Sequence, residues 1–157
     1  MGEQTESFFS SAGEAGCNVI LIEDDPLVRE AMRWALEDIG CTVRAGISAA
    51  DVDDLLDGFD PDLVIADFRL PGDHNGLMVI QIIRTRVGYP VVACLITGEL
   101  AEQIRILAER AGIPWLSKPI TIETLMAVVE QVCPNGRRLS PVAGQKNPRW
   151  RPAGTEV

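Results

Sequence analysis

Four short stretches carry the residues whose types could do chemistry. Glu23-Asp24-Asp25 follows the apolar run NVILI, and Asp67 closes VIA. Thr97-Gly98 closes the run PVVACLI, and Lys118-Pro119 follows WLS. Three carboxylates brought into one crevice would repel one another or have their pKa values pushed upward. A divalent cation removes that conflict. Oxygen ligands without His or Cys suit Mg2+ or Mn2+, and Mg2+ keeps several waters beside one or two carboxylates. Three carboxylates, one such ion and the Lys118 ammonium sum to zero charge. Thr97 and Lys118 are not needed to hold a metal. A hydroxyl and an ammonium aimed into the same crevice instead suit the peripheral oxygens of a phosphoryl group.

The elements that must position these residues alternate between two periodicities. NVILIE (18–23) is a short, continuous apolar run, as expected of a strand buried on both faces. Asp25 is placed to cap a helix with Pro26 at its first position, and Gly40 stops it. Its inward face is expected to be Val28, Met32, Ala35, Leu36 and Ile39, with Trp34 core or half-buried. CTVRAG (41–46) gives a second, weaker strand, and Ser48 caps a short acidic helix. DLVIAD (62–67) is the third strand, Leu77 to Arg86 a helix, and PVVACLIT (90–97) the fourth strand. Glu99 to Ala111 reads as a helix with Leu100, Ile104, Leu107 and Ala111 on one stripe. WLSK (115–118) is a brief fifth strand. Thr121 opens a last helix with Ile122, Leu125, Met126, Val129 and Val132 inward. Five such strand–helix units predict an α/β fold, a doubly wound five-stranded parallel sheet of order 2-1-3-4-5. In such sheets ligands bind beyond the carboxyl ends of the strands, where all four stretches fall.

Composition narrows the function classes. The 157 residues and 46% apolar share fit one soluble domain with a proper core. No apolar stretch approaches the roughly 18 residues of a membrane helix. The first sixteen residues carry acids where a secretory signal carries bases, so a cytoplasmic location is expected. Net charge is −9, unevenly spread. Residues 17–132 hold 19 acids and 9 bases, which argues against nucleic-acid binding by the folded part. Residues 1–16 read as a flexible segment, and 134–157, rich in Pro, Gly and Arg, as a disordered basic tail. The four cysteines, Cys17, Cys41, Cys94 and Cys133, lie far apart without a C-x-x-C pair. They read as buried or half-buried free thiols rather than metal ligands or disulfides. No glycine-rich dinucleotide fingerprint follows the first strand.

The ordered set E-D-D at strand 1, D-x-x-L-P-G at strand 3, T-G at strand 4 and K-P after strand 5 resembles the receiver domain of two-component response regulators. The resemblance runs from about Cys17 to Cys133. It implies that Asp67 is the phosphoacceptor, taking a phosphoryl group from a phosphohistidine. It implies that Asp24 binds Mg2+ directly, Glu23 mainly through water, and that the Arg69 backbone carbonyl completes the protein ligands. Thr97 and the Gly98 amide would hold phosphoryl oxygens, and Lys118 would pair with the phosphate ahead of a cis bond to Pro119. Trp115 stands at the switch aromatic, where the family usually has Tyr or Phe. Phosphorylation takes the side chain from about −1 to nearly −2 and adds acceptor oxygens. The implied response is a population shift of the surface formed by the fourth helix, fifth strand and fifth helix. The implied partners are a histidine kinase or histidine phosphotransferase and an output protein, with homodimerisation through that surface as one form of output.

Three features depart from the common pattern. The loop FRLPGDHNG after Asp67 is about one residue longer than usual, resembling receivers of hybrid sensor kinases; single-domain regulators are the other comparison. Trp115 is bulkier than the usual aromatic. Glu99 and Arg69 would flank the phosphoryl site and are expected to tune hydrolysis of the acyl phosphate. His74, the single histidine, reads as an exposed loop residue, so the phosphohistidine must come from another protein. A haloacid-dehalogenase-type phosphatase would carry an acid two residues after Asp67, where this chain has Arg69. The resemblance to receivers implies a chain that is not an enzyme beyond catalysing its own phosphorylation and dephosphorylation. The alternative reading is a phosphorylation-independent interaction module with the same fold.

Overall fold

The computed structural model describes residues 16–98 and 102–134. Strands β1 (Asn18–Ile22), β2 (Thr42–Gly46), β3 (Leu63–Asp67), β4 (Val92–Thr97) and β5 (Trp115–Ser117) alternate with helices. These are α1 (Pro26–Asp38), α2 (Val52–Leu56), α3 (Gly76–Val87), α4 (Glu102–Ala111) and α5 (Ile122–Val132). All neighbouring strands pair in parallel, in the order β2-β1-β3-β4-β5. The expected order is the observed one. The chain reverses direction of winding after β2, so β1 and β3 lie side by side and a crevice opens at their carboxyl ends.

Two cores sandwich the sheet, as the side-chain period of two requires. Ile20 and Ile22 of β1, with Val64, Ala66 and Leu95, pack against α2, α3 and α4. Val19 and Leu21, with Leu63, Ile65 and Ile96, pack against Met32 and Leu36 of α1 and Leu125, Val128, Val129 and Val132 of α5. Each such aliphatic side chain contributes about 1.5–3 kcal/mol by leaving water. β3 is the most enclosed strand: all five of its residues are buried, Asp67 included. β2, on the sheet edge, has only Gly46 fully buried, which is why its sequence signal is weaker.

The caps follow local chemistry. Asp25 accepts hydrogen bonds from the Leu27 and Val28 N–H groups and Pro26 takes the first helical position. Ser48 and Asp51 form a capping box around a short 3-10 turn, Ala49–Asp51, ahead of α2. Asn75 caps α3 through the Met78 N–H, and Thr121 caps α5 through the Thr124 N–H.

Several side chains depart from their expected place. Trp34 is 65% exposed, on the outer face of α1. In α5, Ile122 and Met126 are exposed and Val128 is buried instead. In α4, Leu107 is exposed and Ala108 is fully buried. The cause is common to all three: the apolar arc of each helix is wider than the strip the sheet and one neighbouring helix can cover. The first residues assigned to the fourth helix, Glu99 and Leu100, lie outside the described residues, as do the segments 1–15 and 135–157.

Candidate functional site

Asp67 ends β3, paired with Ile96, so Thr97 stands one residue further along the neighbouring strand. Thr97 pairs with Ser117 of β5, and the Lys118 N–H donates to the Thr97 carbonyl at 2.9 Å. The register alone therefore brings Asp67, Thr97 and Lys118 to one edge. Glu23 follows β1 directly, its N–H donating to the Gly46 carbonyl of β2. Arg29, one turn into α1, donates from Nη1 to the Glu23 and Asp24 carbonyls at 2.9 and 3.3 Å and fixes the acidic loop.

The side chains converge. Lys118 Nζ donates to Asp67 Oδ2 at 2.8 Å and lies 3.0 Å from Glu23 Oε2. Oxygen atoms of Glu23, Asp24 and Asp67 all lie within 4.8 Å of one another. Glu23, Asp67 and Thr97 are buried, while Asp24 is exposed at the mouth. Glu23 Oε1 accepts from the Asp25 N–H at 3.2 Å, but Oε2 is buried and receives no aligned hydrogen bond despite the nearby ammonium. Burial raises the Glu23 pKa, with the charge of Asp67 adding to it and Lys118 opposing. Burial would lower the Lys118 pKa, yet Asp67 and Glu23 outweigh it and hold the ammonium above its ordinary value. A cluster with one incompletely satisfied buried carboxylate and three all-oxygen donors fits a hard divalent cation.

The loop after β3 is tied back to the strand ends. The Phe68 N–H donates to the Ile96 carbonyl at 2.8 Å, and the Arg69 N–H reaches Asp67 Oδ1 at 3.4 Å. The Arg69 N–H thus lies beside the carboxylate. Gly98 also falls at the site: a Cβ built on it would sit 3.9 Å from Lys118 Cδ. The Lys118–Pro119 peptide is cis. Trp115 begins β5, half-buried against the core, and its indole N–H is buried without a hydrogen-bond partner. His74 is exposed. Of the expected pair flanking the site, Arg69 follows Asp67 by two residues with its backbone N–H turned to the carboxylate, and Glu99 lies outside the described residues.

Sequence reasoning missed Gly76. A Cβ on this first residue of α3 would collide with the backbone carbonyl of Asp67 and come within 2.9 Å of Leu95 Cδ1. The Gly76 N–H donates to the Phe68 carbonyl at 2.9 Å. α3 can start hard against the end of β3 at Asp67 only because this residue has no side chain. Asn75-Gly76 at a helix start was the available signal.

Residues 19–130 match the response regulator receiver domain family. The chain is 31% identical over 128 residues to the virulence transcriptional regulatory protein PhoP of Salmonella typhimurium, covering 81% of this chain and 55% of that protein. It therefore spans about half the length of that relative. Among solved structures, the Vibrio cholerae chemotaxis protein CheY4 superposes with a TM-score of 0.67 at 21% identity, covering 75% of this chain and 99% of that one. A response regulator from Burkholderia pseudomallei, solved with a phosphorylated aspartic acid and a calcium ion, gives a TM-score of 0.63 at 21% identity, over 72% of this chain and 66% of that one. Both structures share the fold. With the matched family spanning most of its length, the chain belongs to the response regulator receiver domain family.

Proposed function

We propose that residues 17–133 act as a phospho-accepting receiver in two-component signalling, with Asp67 as acceptor. The observation that supports this most is the convergence of Asp67 with Lys118 at 2.8 Å, beside Glu23, Asp24 and the end of β4. One Asp67 oxygen attacks the phosphorus of a partner's phosphohistidine. The new P–O bond forms as the P–N bond breaks, and the imidazole, protonated on its other nitrogen, leaves neutral with the electron pair. Lys118 neutralises the carboxylate before transfer and pairs with a phosphoryl oxygen after it. Thr97 supplies a hydroxyl and Gly98 an amide to the remaining oxygens. Glu23, Asp24, Asp67 and the Arg69 carbonyl would hold Mg2+ or Mn2+, which offsets charge that develops on the phosphoryl oxygens.

Receivers of this family exchange phosphoryl groups with histidine kinases or phosphotransfer proteins and act on output domains. For this chain we propose that output runs through the α4-β5-α5 surface. Drawing Thr97 toward the new oxygens frees room next to Trp115, whose unpaired indole N–H makes its present position easier to leave. Among the described residues no helix is long and apolar enough to cross a membrane.

The direct test is incubation with acetyl phosphate and Mg2+, read by intact mass. Wild type is expected to gain one base-labile phosphoryl group, Asp67→Asn none. A wild type that stays unlabelled where other receivers are labelled would favour the phosphorylation-independent module. Labelling that survives Asp67→Asn would move the acceptor elsewhere.

A further inference from the structure

The edge of the sheet opposite Asp67 carries a second cluster that the phosphoryl chemistry does not use. Cys17 directly precedes β1, Cys41 precedes β2, Asp62 precedes β3, and Cys133 caps the end of α5. The register explains their meeting. Asn18 pairs with Thr42 and Val19 with Leu63, so the residues just before each strand line up at one edge. The Thr42 N–H donates to the Cys17 carbonyl at 2.9 Å, and the Asp62 N–H to the Asn18 carbonyl at 2.7 Å. Asp62 Oδ2 accepts from the Asn18 N–H at 2.8 Å, which turns the carboxylate inward along β1. All four residues are buried, between 1% and 7% exposed. Cys17 Sγ, Cys133 Sγ and an Asp62 oxygen lie within 4.8 Å of one another, and the pairing of Asn18 with Thr42 sets Cys41 beside Cys17 in the same buried cluster.

We propose that Cys17, Cys41, Cys133 and Asp62 form a structural Zn2+ site. Three sulfurs and one carboxylate oxygen make up a four-ligand set that zinc takes in closed tetrahedral sites. With all thiols deprotonated, the filled site carries the net charge of the four-cysteine sites that hold structural zinc. Ligand softness separates it from the acidic edge: thiolates select zinc, and the all-oxygen cluster at Asp67 selects Mg2+ or Mn2+. Five residues of β3 put about 16 Å between the two. Zinc takes these cysteines as thiolates, so binding releases protons. The ion would tie the end of α5 to β1, β2 and β3. Cys133 is the last-turn ligand, so fraying of that turn opens the site to the metal.

The test uses the full chain, reduced and desalted into chelator-free buffer, and titrated with Co2+ followed by Zn2+. A sulfur-to-Co2+ charge-transfer band in the near ultraviolet is expected to saturate at one equivalent and to be bleached by one equivalent of Zn2+. The acidic edge has no sulfur and cannot produce that band. In competition with a chromophoric chelator, Cys17→Ser and Cys133→Ser are expected to weaken Zn2+ by more than the roughly 10–100-fold that loss of an outer-shell partner costs. Asp62→Asn, which keeps an oxygen for the Asn18 N–H, weakens it in the same direction. Cys94→Ala, in β4 and away from the cluster, leaves it unchanged. Far-UV circular dichroism checks that each variant is folded, and the wild-type spectrum decides even where a serine variant is not. A wild type without the charge-transfer band, or a folded Cys17→Ser with an undiminished one, overturns the proposal.

Discussion

At the scale of single residues, the acidic site is held together by Lys118. Removing its ammonium leaves Asp67 and the buried Glu23 facing each other without a cation. Lys118→Met is expected to cost about 1–3 kcal/mol in urea denaturation in EDTA, toward the low end because the lysine is 27% exposed. The loss should shrink when Mg2+ is added, since the ion supplies the missing charge; an equal loss with and without Mg2+ would speak against a metal there. Glu23 gives a pH signature of defined sign. Its pKa is raised by burial, so the folded chain holds that proton more tightly than the unfolded chain. The stability this contributes is complete below its ordinary value of 4.5 and is lost as pH climbs through the raised native value. In EDTA, the stability of wild type minus that of Glu23→Gln should therefore fall with rising pH. A flat difference would show that Glu23 is not desolvated as described.

At the scale of elements, the site depends on how closely α3 approaches the end of β3. Gly76→Ala pushes a methyl group into the Asp67 carbonyl. The expected cost is about 1–3 kcal/mol, as for other overpacked positions. Labelling by acetyl phosphate should slow as well, because the shift is transmitted to Asp67, the proposed acceptor. Asn75→Ala is the useful comparison. It removes the cap hydrogen bond to the Met78 N–H, should cost about 1 kcal/mol, and leaves the approach to Asp67 intact. Equal labelling rates for the two variants would contradict the positioning role. Much at this scale was readable in advance: Asp25-Pro26, Ser48, Thr121 and Gly40 mark helix ends through local hydrogen bonds and backbone freedom, which need no distant partner. Trp34, Leu107, Ile122 and Met126 were misplaced because an apolar residue on a helix says nothing about how wide its cover is.

At the scale of the whole molecule, both cores and both sheet edges lie within the described residues. A chain cut to residues 16–134 is expected to keep one cooperative unfolding transition, with Tm within the roughly 2–4 °C that 1 kcal/mol would move it. It should label at Asp67 at the rate of the full chain. A larger drop in Tm, or a lost label, would give the flanking segments a structural part in the domain.

The pattern of residues along the chain was enough to specify the five-unit parallel sheet and its acidic end. Buried parallel strands are continuous apolar runs, and the polar residue that ends each run is by construction at the ligand-binding edge. Glu23, Asp67, Thr97 and Lys118 could therefore be picked out one strand at a time. What crosses between strands and helices at the level of atoms emerges in the folded molecule. Gly76 matters because a helix start meets a strand-end carbonyl, and no spacing encodes that distance. Cys17, Cys41, Asp62 and Cys133 are scattered along the chain, and their meeting follows from sheet register and from where α5 ends. Local chemistry is written along the chain, whereas the proximity of its distant parts exists only once the sheet has set their register.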